Sequence, residues 1–379
     1  MKSVIIDFHA GCTSSLVHML HHTGSSVKIL ALTSHKFVLE DNGYTSLILA
    51  RFSEFALKFR LRLRPRLGEN PTIQTAARDD VRIRRGKQRY DVAWVAFPPA
   101  LYRRVLRSGV ANHVVVWVSH RADLHLQTAS ERAVFWRGVK DDHQRGSVTF
   151  VAANPLDAEY FFHYSGIQIE TLLPSNGYLK PKVCNLQSAP GEIIIASHHI
   201  RSDNLGFREI QSKFSGKLPY LRDLYPKYSW EEILQHRALV YVPYSAYSIS
   251  LMEYLNLGFT LLVPTDRWLI EHGLLNDVRL YPLYASQNEV EIGESLLSPG
   301  ASLNEGDDEI LFEWMKLAIW NLDCYQNRVK RWDSLAELEQ LIELDYSRNV
   351  EALQESSRVA ESEFGSFLSR EVASRVTAI

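Results

Sequence analysis

VYVPYSAYSISLMEYLNLGFTLLVPT, residues 240–265, decides the fold. It opens on a short apolar run, Val240–Pro243, and breaks into a serine-rich turn. Helical spacing resumes near Ser248 or Ile249, the chain turns at Gly258, and a second apolar run ends at Pro264. Strand, turn, helix and strand in that order make a crossover between parallel strands, and near-continuous apolar runs suit a sheet covered on both faces.

The same alternation extends outward. Strands are expected at Ser3–Phe8, Val27–Leu32, Asp91–Phe97, His113–Val118 and Val148–Ala152, with helices at Thr13–His22, Pro99–Ser108, Thr128–Val139 and Pro155–Tyr164. LPSNGYLKPKVCNLQSAPG, residues 173–191, breaks the pattern with prolines, glycines and small polar residues and reads as a linker. A second series follows: strands at Glu192–Ser197, Ala238–Pro243 and Phe259–Val263, and helices near Ser229–His236, Ile249–Leu257 and Asp266–His272. Beyond Ser298 the spacing is largely helical to the end. The pattern predicts an α/β chain of two Rossmann-like domains facing across a cleft, with a helical C-terminal tail. The boundaries are 1–175 for the first domain, 176–191 for the linker, 192–300 for the second domain and 301–379 for the helical segment.

A length of 379 residues is enough for two cores, and a net charge of −2 lacks the basic excess of a nucleic-acid binder. Cys12, Cys184 and Cys324 are widely spaced and form neither a disulfide framework nor a zinc pattern. The apolar start of MKSVIIDFHAG meets Asp7 at once, which does not suit a secretory leader, and no window reaches the apolar length of a membrane span. A cytoplasmic protein is expected. The segment Lys58–Arg89 is strongly basic, with charges alternating with apolar residues around Leu57–Leu67. Alternation suits a charged edge strand; the functional reading is peripheral contact with an anionic membrane or acceptor, on the cytoplasmic face.

In 240–265, Ser248 has the chemistry of a helix N-cap. The free N–H groups and positive dipole end of that helix suit a diphosphate, and Glu253 stands where a carboxylate can accept from ribose hydroxyls. The alternative is a serine that only caps and a glutamate that is only solvated. Such a turn lies at the carboxyl end of its strand, where open α/β sheets bind ligands.

The serine-rich turn, the helix with its inward glutamate, the Leu-Gly-Phe turn and the strand ending in Pro264 resemble the donor segment of GT-B glycosyltransferases. The two alternations, the linker and the helical tail extend the resemblance over most of the chain. It implies a nucleotide sugar as co-substrate on the second domain, a glycan or lipid-linked acceptor on the first, and a C-terminal helical segment packing in part back on the first domain. Many retaining members carry a second glutamate eight positions before the ribose-binding one; Ser245 stands there, which favours inversion. Inversion needs a general base, and such enzymes often keep it in the turn after the first strand, here Asp7-Phe8-His9-Ala10-Gly11-Cys12-Thr13. His9 is the first choice because imidazole titrates near neutrality, with Asp7 as its orienting group or as the base itself. Gly11 allows close backbone approach there.

IIIASHHIRSDN, residues 193–204, leaves the first strand of the second domain and offers His198, His199, Arg201 and Ser202 to a diphosphate. Tyr244, Ser245, Ser248, Ser250 and Glu253 complete the donor set. His120, Arg121 and Asn154, in loops after strands of the first domain, are candidates for holding the acceptor or sugar; Asn154 is equally an N-cap, with Pro155 in the first turn. No P-loop, GxGxxG, GxSxG, HExxH or DxD pattern is present, so neither an obligatory metal nor a bound cofactor is expected. Two other readings are a sugar-nucleotide epimerase and a non-catalytic two-domain ligand-binding module.

Overall fold

The structure is a computed structural model and describes residues 1–7, 9–31, 90–123, 126, 129–179, 191–196, 205–226, 229–243, 245–272, 308–349 and 351–377. The described residues form two compact units, one within Met1–Tyr178 and Ser357–Ile379, the other within Leu179–Ser286 and Ala301–Ser356.

The first unit is a five-stranded parallel sheet with helices. Its elements are β1 (Lys2–Asp7), α1 (Ala10–His22), β2 (Ser26–Ala31), β3 (Tyr90–Val95), α2 (Tyr102–Ser108), β4 (Ala111–Val118), α3 (Ala129–Gln144), β5 (Val148–Ala152) and α4 (Pro155–Ser165). The strand order is β2-β1-β3-β4-β5 and every pairing is parallel. β4 is an interior strand, and Val114–Val118 is accordingly β-branched or aromatic throughout and buried on both faces. The order reverses between β1 and β3, the switch point at whose carboxyl ends doubly wound sheets bind ligands.

The second unit contains β6 (Ile194–Ile195), α5 (Leu205–Lys213), α6 (Leu221–Leu224), α7 (Trp230–Ile233), β7 (Ala238–Val240), α8 (Ile249–Asn256), β8 (Thr260–Pro264), α9 (Asp266–Glu271), α10 (Asp308–Met315), β9 (Val329–Trp332) and α11 (Leu335–Ile342). Its sheet is parallel in the order β6-β7-β8-β9. The crossover read from residues 240–265 is present as β7-α8-β8. Gly258 closes its turn at φ 82°, where a Cβ would run into the carbonyl oxygen of Asn349.

β9 is a strand that was not foreseen within the largely helical stretch expected after Ser298. VKRW has only four residues and two of them are charged, so it offers no apolar run; Val329 and Trp332 are nevertheless buried while Lys330 is exposed. α12 (Ala352–Phe367) continues through a π-turn, Leu368–Val372, into α13 (Ala373–Thr377). From Ser357 onward this segment belongs to the first unit. There Glu361 meets His18 at 2.8 Å and His22 at 3.3 Å, Phe364 lies 5.4 Å from Trp94 between ring centres, and Arg370 pairs with Glu170. Among the described residues no helix is long and apolar enough to cross a membrane.

Candidate functional site

Each unit gathers sequence-identified residues at the carboxyl ends of its strands. In the first unit, β1 ends in Asp7, whose side chain is fully buried. Oδ1 accepts the backbone N–H groups of Phe97 (2.8 Å) and His9 (3.2 Å), and Oδ2 accepts the Thr13 hydroxyl (2.9 Å). Asp7 thus joins the end of β1, the start of α1 and the loop after β3 at the switch point. It meets His9 through the main chain, because the backbone turns after β1 to start α1 and the two side chains no longer share a strand face.

His9 is exposed and is the N-cap of α1, Nδ1 accepting from the Cys12 N–H at 3.3 Å. Accepting that bond leaves the ring hydrogen of the neutral form on Nε2. Gly11 is buried in the first turn of α1. The Phe97 ring lies between two imidazoles, 5.8 Å from His9 and 6.1 Å from His120. His120, after β4, is half-buried, and its Nδ1 accepts the Arg121 N–H at 2.9 Å.

Arg121 points inward. Its side chain is buried, and its guanidinium sits 4.7 Å from the centre of the Tyr160 ring. Tyr160 donates to Asp123 Oδ1 at 3.0 Å, and the Trp136 indole donates to Asp123 Oδ2 at 3.2 Å. Asn154 caps α4, accepting from the Asp157 N–H at 2.9 Å and donating to the Asp157 carboxylate. Burial pushes the Asp157 carboxyl up, opposed by the charges of His120 and Arg121 and by the Asn154 bond. Asn154 and Arg121 therefore hold the framework of the site, and His9 and His120 are its more accessible polar members. Sequence reasoning missed Phe97 and Asp157; the spacing N-P-L-D, an N-cap with an acid three residues on, was the available signal for Asp157.

In the second unit, Ser248 caps α8 by accepting the Leu251 N–H at 3.1 Å. Its hydroxyl also meets the Tyr241 hydroxyl at 2.9 Å and Ser250 at 3.2 Å. Tyr241, which sequence reasoning passed over as a strand residue, is buried, and burial raises its phenol; Glu253 adds to that rise while the two serines oppose it. Glu253 is itself only 9% exposed, so it is not a solvated surface carboxylate. Ser245 is buried in the turn, which is fixed by the Ile319 N–H donating to the Ala246 carbonyl at 3.1 Å. The α8 terminus thus carries two accessory hydroxyls, Ser245 and Ser250, around a cap that Tyr241 stiffens, with the Glu253 carboxylate about one turn further in.

His198, His199, Arg201, Ser202, Tyr244 and the basic segment 58–89 lie outside the described residues. Among the described residues no group of three or more His, Cys, Asp or Glu side chains is placed to hold a metal ion. No protein-family model matches this chain, and no curated protein matches it.

Proposed function

We propose that the chain is a glycosyltransferase of GT-B type, transferring a sugar from a nucleotide sugar to an acceptor hydroxyl with inversion. The observation that carries the proposal is the α8 terminus: a rigid Ser248–Tyr241 cap with a buried carboxylate, Glu253, one turn behind it. A buried carboxylate at that place accepts from vicinal ribose hydroxyls. The first-turn N–H groups of α8, with Ser245 and Ser250, face the diphosphate, and Ser248 orders the turn. Arg201, His198, His199 and Ser202 are expected to add donors to the same group.

On this reading the first unit holds the glycan or lipid-linked acceptor and His9 is its base. The acceptor oxygen bonds to the anomeric carbon as the bond from that carbon to the diphosphate breaks, and the acceptor proton passes to His9. In the neutral ring the lone pair is on Nδ1, so His9 releases its 3.3 Å cap as it takes the proton. Asp7 keeps His9 in place through the main chain.

The test separates binding from chemistry. With a nucleotide sugar and an acceptor mixture, His9→Ala is expected to lower turnover about 10²–10⁴-fold and leave nucleotide affinity nearly unchanged. Transfer at the original rate would remove His9 as the base. Glu253→Ala is expected to weaken donor binding; an epimerase would instead alter the sugar nucleotide without acceptor, and a non-catalytic binding module would bind without transfer and tolerate His9→Ala without loss.

A further inference from the structure

The first unit also contains a cavity of about 360 Å³ lined by Arg103, Leu106, Arg107, Asp142, Arg145 and Ser147. It lies where α2 and α3 end, beside the amino ends of β4 (Ala111) and β5 (Val148), so it is at the opposite end of the sheet from the β1/β3 switch point. Three arginines face one carboxylate. Asp142 is held by the Tyr102 hydroxyl at 3.1 Å, while Arg103 approaches it only to 3.7 Å and Arg145 only to 4.0 Å.

Arg103 is the telling residue. Its side chain is 19% exposed, yet among the described residues its guanidinium makes no hydrogen bond, only the long ion pair to Asp142. It lies flat on Gly138 of α3, where any Cβ would run into its Cζ and terminal nitrogens. A guanidinium that is mostly buried, laid against a helix and left with its planar fork of donors unused is matched to a planar or tetrahedral oxyanion. The carboxyl ends of α2 and α3 contribute roughly half a negative charge each, which does not cancel the two-charge excess of the lining.

The geometry points to a second binding site in this chain, for a phosphate group, in the cavity of Arg103, Arg107 and Arg145. It does not rest on the glycosyltransferase reading. A soluble phosphomonoester and a lipid headgroup both present that group, and the experiment distinguishes them.

The full chain is titrated with inorganic phosphate at fixed ionic strength, with chloride as the control, and floated with phosphatidylcholine vesicles with and without phosphatidic acid. Saturable phosphate binding without flotation identifies a soluble ligand; flotation that needs phosphatidic acid identifies a headgroup. In either arm Arg103→Gln is expected to weaken binding roughly tenfold or more. Gly138→Ala keeps every charge and favours the helix, but displaces the Arg103 guanidinium, and is expected to reproduce the loss. Absence of binding in both arms overturns the inference. So does binding that survives Arg103→Gln, which belongs to another site, or wild-type binding by Gly138→Ala, which reduces the effect to net charge.

Discussion

Acidification from pH 7 to pH 4 is expected to remove most of the stability of the first unit. Burial holds the imidazoles of His113 and His163 neutral down to about 4, with Arg375 adding to the effect at His113. Both side chains are at most 1% exposed. Among the described residues His113 has one hydrogen-bond partner, Thr149 at 2.8 Å, and neither nitrogen of His163 has any. A histidine with a depressed folded-state pKa binds its proton in the unfolded chain first. Stability from it is therefore complete above the ordinary value near 6.5 and falls as pH drops from there to about 4. Each of the two contributes on the order of 3 kcal/mol across that window, a large part of the net stability of an ordinary domain. His143 is shifted in the same direction by burial and adds to the slope. Denaturant unfolding between pH 7 and pH 4.5 is the measurement. His163→Phe is expected to flatten the profile by close to one proton, and a profile identical to that of the unaltered chain would remove the buried histidine as its cause.

Asp7→Ala is expected to destabilise the first unit on the order of 3 kcal/mol or more, because it leaves two backbone N–H groups and a buried hydroxyl without their acceptor. Asp7→Asn keeps the shape and one carbonyl oxygen, and its amide can donate to Thr13, so a loss of about 1–2 kcal/mol is expected. The pair of variants also defines the role of Asp7. A residue acting through the position of His9 loses activity in proportion to the lost order, and Asp7→Asn retains measurable turnover. A proton acceptor would lose all of it at unchanged stability. Thermal unfolding and turnover measured on the same samples decide between them.

Much of this architecture was legible in the residues. Runs such as Val114–Val118 can only be buried on both faces, and Gly258 and Pro264 punctuate the crossover that organises the second sheet. The caps Ser248 and Asn154 were readable because their side chains act on the next turn, which is local chemistry. What escaped was non-local. VKRW at 329–332 becomes a strand only because β8 offers it a neighbour, with Val329 and Trp332 buried at its ends. The inward turn of Arg121 depends on Tyr160, and the isolation of His163 depends on the core around α4; neither partner can be identified from local spacing. A strand continuing past Asp7 would set His9 on the same face as Asp7, but the chain turns there, and His9 becomes the N-cap of α1.

The central claim is that the α8 terminus and Glu253 bind a nucleotide sugar through its diphosphate and ribose. It is tested most directly by calorimetric titration of the full chain with UDP, GDP, CMP and TDP species, in the unaltered protein and in Glu253→Gln. Saturable binding of one nucleotide class is expected. At about a hundred times its dissociation constant that ligand stabilises the fold by about 2.7 kcal/mol. Glu253→Gln is predicted to weaken the binding roughly tenfold or more, since hydrogen bonds to a charged acceptor are the strong ones. Absence of binding by every nucleotide class, or an affinity that Glu253→Gln leaves unchanged, would contradict it.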